Sequence, residues 1–129
     1  NVNPVVGIEK MLRDGRDVIC DRYYYSSLAY QGSETDPEWV RRMNLDCPEI
    51  RRPDLCIFLD LTPEQSMERI RRGRATQEIY ETQERLEAVR AKFLQVIASL
   101  RDAERIVVVN AARPMEKIHA EICALVADL

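Results

Sequence analysis

Scarcity marks this sequence as much as content does. Its 129 residues include only four glycines, one histidine and three lysines, Lys10, Lys92 and Lys117. There is no apolar run long enough to cross a bilayer and no signal or transit peptide, so a cytoplasmic location without a membrane partner is the expectation. The four cysteines, Cys20, Cys47, Cys56 and Cys123, form no CxxC pair, so neither a zinc site nor a dithiol redox motif is suggested. They read as free thiols used as small core residues in a reducing compartment. His119 has no partner motif and reads as a structural or surface residue. A net charge of -3 lacks the basic excess of a general nucleic-acid binder.

What is present is ordinary for a soluble globular chain: 46% hydrophobic and 32% charged residues, enough to build a core over one domain's length, residues 1–129. Arginine carries most of the positive charge. Its planar fork suits phosphate recognition, although genome composition produces the same bias.

The punctuation of the chain predicts alternating helices and buried strands. Asn3-Pro4 opens a helix that runs to about Asp14 and stops at Gly15. Asp17–Cys20 is a short β-branched run without alternation, the pattern of a strand buried on both faces. Asp36-Pro37 opens a short helix ending near Asn44. Leu55–Leu61 is a second buried strand, and Thr62-Pro63 starts a helix reaching about Arg72. A longer amphipathic helix begins near Gln77 and carries Ile79, Leu86, Val89, Phe93, Val96, Ile97 and Leu100 on one face. Arg105–Asn110 is the third strand and Pro114–Leu129 the closing helix. The fold class is therefore α/β, a three-stranded parallel sheet flanked by helices. Ligands of such sheets gather beyond the carboxyl ends of the strands, where Asp21-Arg22, Asp60 with Thr62, and Asn110 to Arg113 are expected to converge.

The segment Asp21 to Gly32, DRYYYSSLAYQG, is the chemical centre of this reading. It packs an acid, an arginine, four tyrosines, two serines and a glutamine together, a poor core but a good inventory for gripping a nucleotide. Taken singly, each residue also has an ordinary account. Asp21 could cap a helix with Arg22 paired to it, the tyrosines could edge a core, and the basic run RIRRGR at Arg69–Arg74 could be a solvated helix end.

DRYYYSSLAYQG closely resembles the signature of thymidylate kinases, the dTMP kinases of the P-loop nucleoside monophosphate kinase group. RPDLCIFLDLTPEQSMERI, the basic segment ending in EIYE, and RIVVVNAARPMEKI continue the likeness over nearly the whole chain. The resemblance implies a P-loop kinase-like fold, dTMP and ATP as substrates, Mg2+ as cofactor, and a homodimer. It also implies roles for individual residues. Asp21 matches the acid near the reacting phosphates and the metal, and Arg22 the arginine that holds phosphate during transfer. Tyr23, Ser27, Tyr30 and Gln31 match the acceptor pocket, with Ser27 and Gln31 toward the base and Tyr30 against the deoxyribose. Glu78 and Tyr80 resemble residues along the nucleoside, and Arg72, Arg74 and Arg113 resemble cations of the lid and ATP side.

One part of the family pattern is missing. No G-x-x-x-x-G-K-[ST] occurs, so nothing here can cradle the donor phosphates as that loop does. In the family fold its strand lies between the strand ending at Asp21-Arg22 and LCIFLDL, so its removal should leave an empty slot with unpaired backbone and exposed apolar residues. The expectation is a chain forming the C-terminal portion of a kinase, an origin that Asn1 without an initiating methionine favours. A second chain supplying the missing strands, or a rearranged sheet, stays open. So do a non-catalytic nucleotide- or protein-binding derivative and a different nucleoside monophosphate or deoxynucleoside kinase.

Overall fold

A computed structural model describes residues 4–30, 36–73 and 82–129. The chain forms two compact units, Asn1–Arg52 and Pro53–Leu129.

The first unit is helical. Helix α1, Pro4–Arg13, ends as its glycine requires: Gly15 adopts φ 76°, its N–H donates to Leu12 C=O at 3.0 Å, and the N–H of Arg16 reaches back to Met11 C=O at 3.0 Å. This double closure satisfies carbonyls that the helix end would orphan, and the positive φ is one that glycine adopts without steric cost. Helix α2, Tyr24–Tyr30, forms inside the aromatic segment and packs on α3, Pro37–Leu45. Asp36 caps α3 by accepting the Glu38 N–H at 3.0 Å, with Pro37 at the start of the helix. The core of this unit is Tyr24, Tyr25, Ala29 and Val40.

The second unit is the α/β part. Strands β1, Cys56–Asp60, and β2, Ile106–Asn110, pair in parallel with Cys56 opposite Ile106 and Asp60 opposite Asn110. Parallel neighbours need a long crossover. Helices α4, Pro63–Gly73, and α5, Gln83–Leu100, supply it and pack on one another, while α6, Met115–Ala127, packs on β2. Reciprocal bonds open α4: Gln65 N–H donates to Thr62 Oγ1 at 3.3 Å, and Thr62 N–H donates to Gln65 Oε1 at 3.0 Å. Thr82 caps α5, whose first residue, Gln83, lies six residues after the start expected near Gln77. The Ile79 position of that stripe lies outside the described residues. From Leu86 onward the stripe is half-buried or buried, with Phe93 stacked on Phe58 of β1 at 5.5 Å.

The expected strand Asp17–Cys20 does not form. Residues 16–20 take no regular secondary structure and join no ladder among the described residues, and Ile19 is 97% exposed. Cys20 is exposed too, as is Cys123, whereas Cys47 and Cys56 are half-buried, so the expectation of core thiols fails at two of four positions. The physical reason is that a β-strand is defined by its neighbour. A β-branched run can be extended by itself, but its N–H and C=O groups need a second strand, and among the described residues none pairs with it.

An ion pair ties α5 to the carboxyl end of β1. Arg90 donates from Nε and Nη2 to the two carboxylate oxygens of Asp60 at 2.8 and 2.9 Å. Hydrogen bonding from Arg90 holds the Asp60 carboxyl below its ordinary value, against the opposing effect of burial. Replacing Arg90 by methionine should lower the urea midpoint near neutrality. Because the folded-state pKa is depressed, this stabilisation is complete above the unfolded carboxyl pKa of about 3.9 and disappears as the pH falls through the folded value. The difference between wild type and variant should therefore shrink in the acid limb. The core offers a second test. Val109 is 0% exposed whereas Leu59, its partner in register, is 53% exposed. Val109→Ala should cost about 2 kcal/mol, and Leu59→Ala, despite losing more carbon, about half that or less.

Candidate functional site

The Asp21-Arg22 pair lies at the sharp turn that enters α2. Arg22 has φ 66°, a left-handed conformation that costs an arginine about 1–2 kcal/mol and that tends to persist where surrounding contacts over-determine it. Its guanidinium carbon lies 5.8 Å from the ring centroid of Tyr30, within range of a cation–π contact worth about 0.5–1 kcal/mol at an exposed site. Asp21 and Arg22 are exposed, and Tyr30 is 40% exposed. Ser27, half-buried, sits three residues before Tyr30 on α2, so the two share one helical face.

The other tyrosines divide the labour. Tyr24 and Tyr25 are buried, with hydroxyl oxygens 3.3 Å apart and ring centroids at 4.4 Å. They are the unit's core, as the structural reading of these rings allowed. Tyr23 is half-buried, its ring tilted against Tyr24 at 4.9 Å, and its hydroxyl donates to the main-chain carbonyl of Arg51 at 3.0 Å. Burial raises the Tyr23 pKa, with the charges of Cys20 and Glu9 adding to it. Arg51 in turn donates from Nη1 to Glu9 Oε1 at 3.1 Å.

In the second unit the parallel register brings the expected strand ends together. Asp60 and Asn110 are partners, and the Ala111 N–H donates to the Asp60 carbonyl at 2.9 Å. The turn after β2 is closed by the Ala112 N–H on Asn110 Oδ1 at 2.9 Å. Arg69 of α4 crosses to it, donating from Nη2 to the Ala111 carbonyl at 2.5 Å. Arg113 donates from Nε to the Asn110 carbonyl at 3.1 Å and pairs with Glu121. Arg72 pairs with Glu68 one turn earlier on α4, at 2.9 Å and exposed to solvent.

Asp21, Arg22, Tyr23, Ser27 and Tyr30 thus belong to the first unit, and Arg72 and Arg113 to the second. Gln31, Arg74, Glu78 and Tyr80 lie outside the described residues. Arg90 and Arg69 were not singled out as site residues, nor was Asp60 beyond its place at a strand end. Arg90 had a legible signal: with Leu86, Phe93 and Ile97 it falls on the apolar stripe of α5, and a cation on such a stripe implies a buried carboxylate opposite. Arg69 had none, because the carbonyl it meets is set by the turn after β2.

The family model described as thymidylate kinase matches residues 5–122. The chain is similar to a probable thymidylate kinase of Pyrococcus horikoshii, 40% identical over 119 residues, covering 89% of this chain and 54% of the relative. It is 39% identical over 121 residues to a probable thymidylate kinase of Methanosarcina barkeri, with coverages of 89% and 57%. A third such protein, from Archaeoglobus fulgidus, is 37% identical over 113 residues, with coverages of 86% and 53%. The chain spans about half the length of these curated relatives. With the family match running through the strained Asp21-Arg22 turn and both paired strands, the chain belongs to the thymidylate kinase family.

Proposed function

We propose that this chain is the C-terminal portion of a single-domain, ATP- and Mg2+-dependent dTMP kinase that makes dTDP, contributing its acceptor pocket and the turns on its ATP side. The observation that carries the reading is Arg22. A strained, exposed arginine directly follows an exposed acid, with an exposed aromatic ring beneath its guanidinium. Strain retained at a polar, solvent-facing residue is the kind that binding sites keep.

In this reading a phosphate oxygen of dTMP attacks the γ-phosphorus of ATP as the bond to ADP breaks, and catalysis is positioning plus neutralisation of spreading negative charge. Arg22 clamps the transferring phosphoryl group with its two-pronged fork. Ser27 and Gln31 bond the base, Tyr30 packs on the deoxyribose, and Glu78 and Tyr80 lie along the nucleoside. Arg72, Arg74 and Arg113 add positive charge on the ATP side. Arg72 and Arg113 do so by exchanging Glu68 and Glu121 for phosphate. The exposed carboxylate of Asp21 fits Mg2+, which takes one or two protein carboxylates and fills its remaining positions with phosphate and water. When bound there, Mg2+ would supply charge neutralisation at the phosphates.

A longer parent chain is inferred because this one spans about half the length of its relatives, carries no phosphate loop, and leaves the Asp17–Cys20 run without a strand partner among the described residues. The reading makes the enzyme a cytoplasmic homodimer acting on small molecules rather than on nucleic acid or membrane. No helix among the described residues is long and apolar enough to cross a bilayer.

The complete protein should phosphorylate dTMP from ATP in preference to dUMP, UMP, CMP and AMP. Arg22→Ala should lower kcat by about 100- to 1000-fold with a smaller change in the KM for dTMP, and Arg22→Lys should restore little of it. Coupled-assay turnover rates check this. A variant that turns over at the wild-type rate would remove Arg22 from the mechanism, and calorimetric binding of dTMP without turnover would favour a non-catalytic nucleotide-binding module.

A further inference from the structure

We propose that Tyr23 is a positioning residue for Arg22: its hydroxyl, bonded to the main-chain carbonyl of Arg51, is a strut that holds the left-handed turn in place. The inference rests on the dTMP kinase reading of Arg22 but assigns a neighbouring residue a different task from contacting the nucleotide.

Residue 23 is held by its carbonyl, its ring and its hydroxyl. Its carbonyl accepts the Ser26 N–H at 3.1 Å at the start of α2. Its ring leans on Tyr24, which is itself in the core, at 4.9 Å. Its hydroxyl crosses 28 residues to the Arg51 carbonyl at 3.0 Å, and Arg51 is moored across 42 residues to Glu9 on α1 at 3.1 Å. A phenol stays protonated through the neutral range, and burial, helped by Cys20 and Glu9, raises this one further, so the hydroxyl is the donor.

The consequence falls on the residue before it. Arg22 is exposed, and the contact recorded for its guanidinium, with Tyr30, comes from the same seven-residue helix that it precedes. That contact ties the turn to α2, the helix it precedes. The Tyr23–Arg51 bond adds a tie to a distant part of the chain, 28 residues away. Loss of the hydroxyl should let the φ of Arg22 relax toward the ordinary region and swing its fork off line, while the ring keeps α2 packed.

Tyr23→Phe in the complete protein removes one oxygen and little else. The strut predicts a kcat lower by about tenfold, with the KM for dTMP and the melting temperature close to wild type. It also predicts faster hydrogen–deuterium exchange at the amides of residues 21–24 but not of 56–60. The proposal is overturned by a raised KM at constant kcat, which would put the hydroxyl on the nucleotide. It is equally overturned by a kcat loss that tracks a lowered melting temperature, or by exchange at 21–24 that does not change. If the wild-type protein shows no turnover of dTMP, the kinase reading has failed and the exchange measurement alone decides the strut: faster exchange sustains it, unaltered exchange ends it.

Discussion

The parallel pairing of β1 with β2 is the constraint from which the second unit follows. Two strands running the same way must be joined by a crossover, and the crossover here is the helical pair α4 and α5. Equal strand lengths in register place both carboxyl ends at one edge, so Asp60 and Asn110 become neighbours although 50 residues separate them in sequence. Their polar side chains are then put to structural use. Asp60 receives Arg90 from the crossover helix, and Asn110 closes the turn that Arg69 and Arg113 hold from either side. Arginine serves here as a brace for carbonyls and carboxylates, a use of the same planar fork that recognises phosphate.

The first unit solves a different problem, how to keep an unfavourable backbone conformation at an exposed residue. It buries Tyr24 and Tyr25 as a floor, leaves Tyr30 at the surface beside Arg22, and uses Tyr23 between them as the link to a distant carbonyl. Consecutive residues of one short segment thereby take core, bridging and surface duties. The turn at residues 21–22 makes this division possible, because it changes the chain direction just before the helical period begins.

Much of this was legible beforehand where the controlling interaction is local. Gly15 ends α1, Asp36-Pro37 begins α3, and the apolar runs at 55–61 and 105–110 contain β1 and β2 within a residue or so, since caps and short periodicities are written in adjacent residues. The run Asp17–Cys20 misled for the complementary reason: its composition states that it can be a strand, and pairing, which composition does not contain, states whether it is one. Within the site, the exposure of Asp21, Arg22 and Tyr30 accords with the mixed chemistry of DRYYYSSLAYQG, whereas the inward turn of Tyr24 and Tyr25 depends on α2 packing against α3.

By itself the sequence determined the α/β class, the end of α1 and the starts of α3 and α4, the two strands that pair, and the likeness to thymidylate kinases, because each of these rests on neighbouring residues or on their linear order. Only the tertiary structure decided that Arg22 is held at φ 66°, that Arg90 answers Asp60, that Tyr23 reaches Arg51, and that Asp17–Cys20 has no strand partner among the described residues. Each of these depends on which groups far apart along the chain meet in space. Backbone and side-chain polar groups are satisfied by whatever partner the fold delivers, and that partner is not encoded next to them.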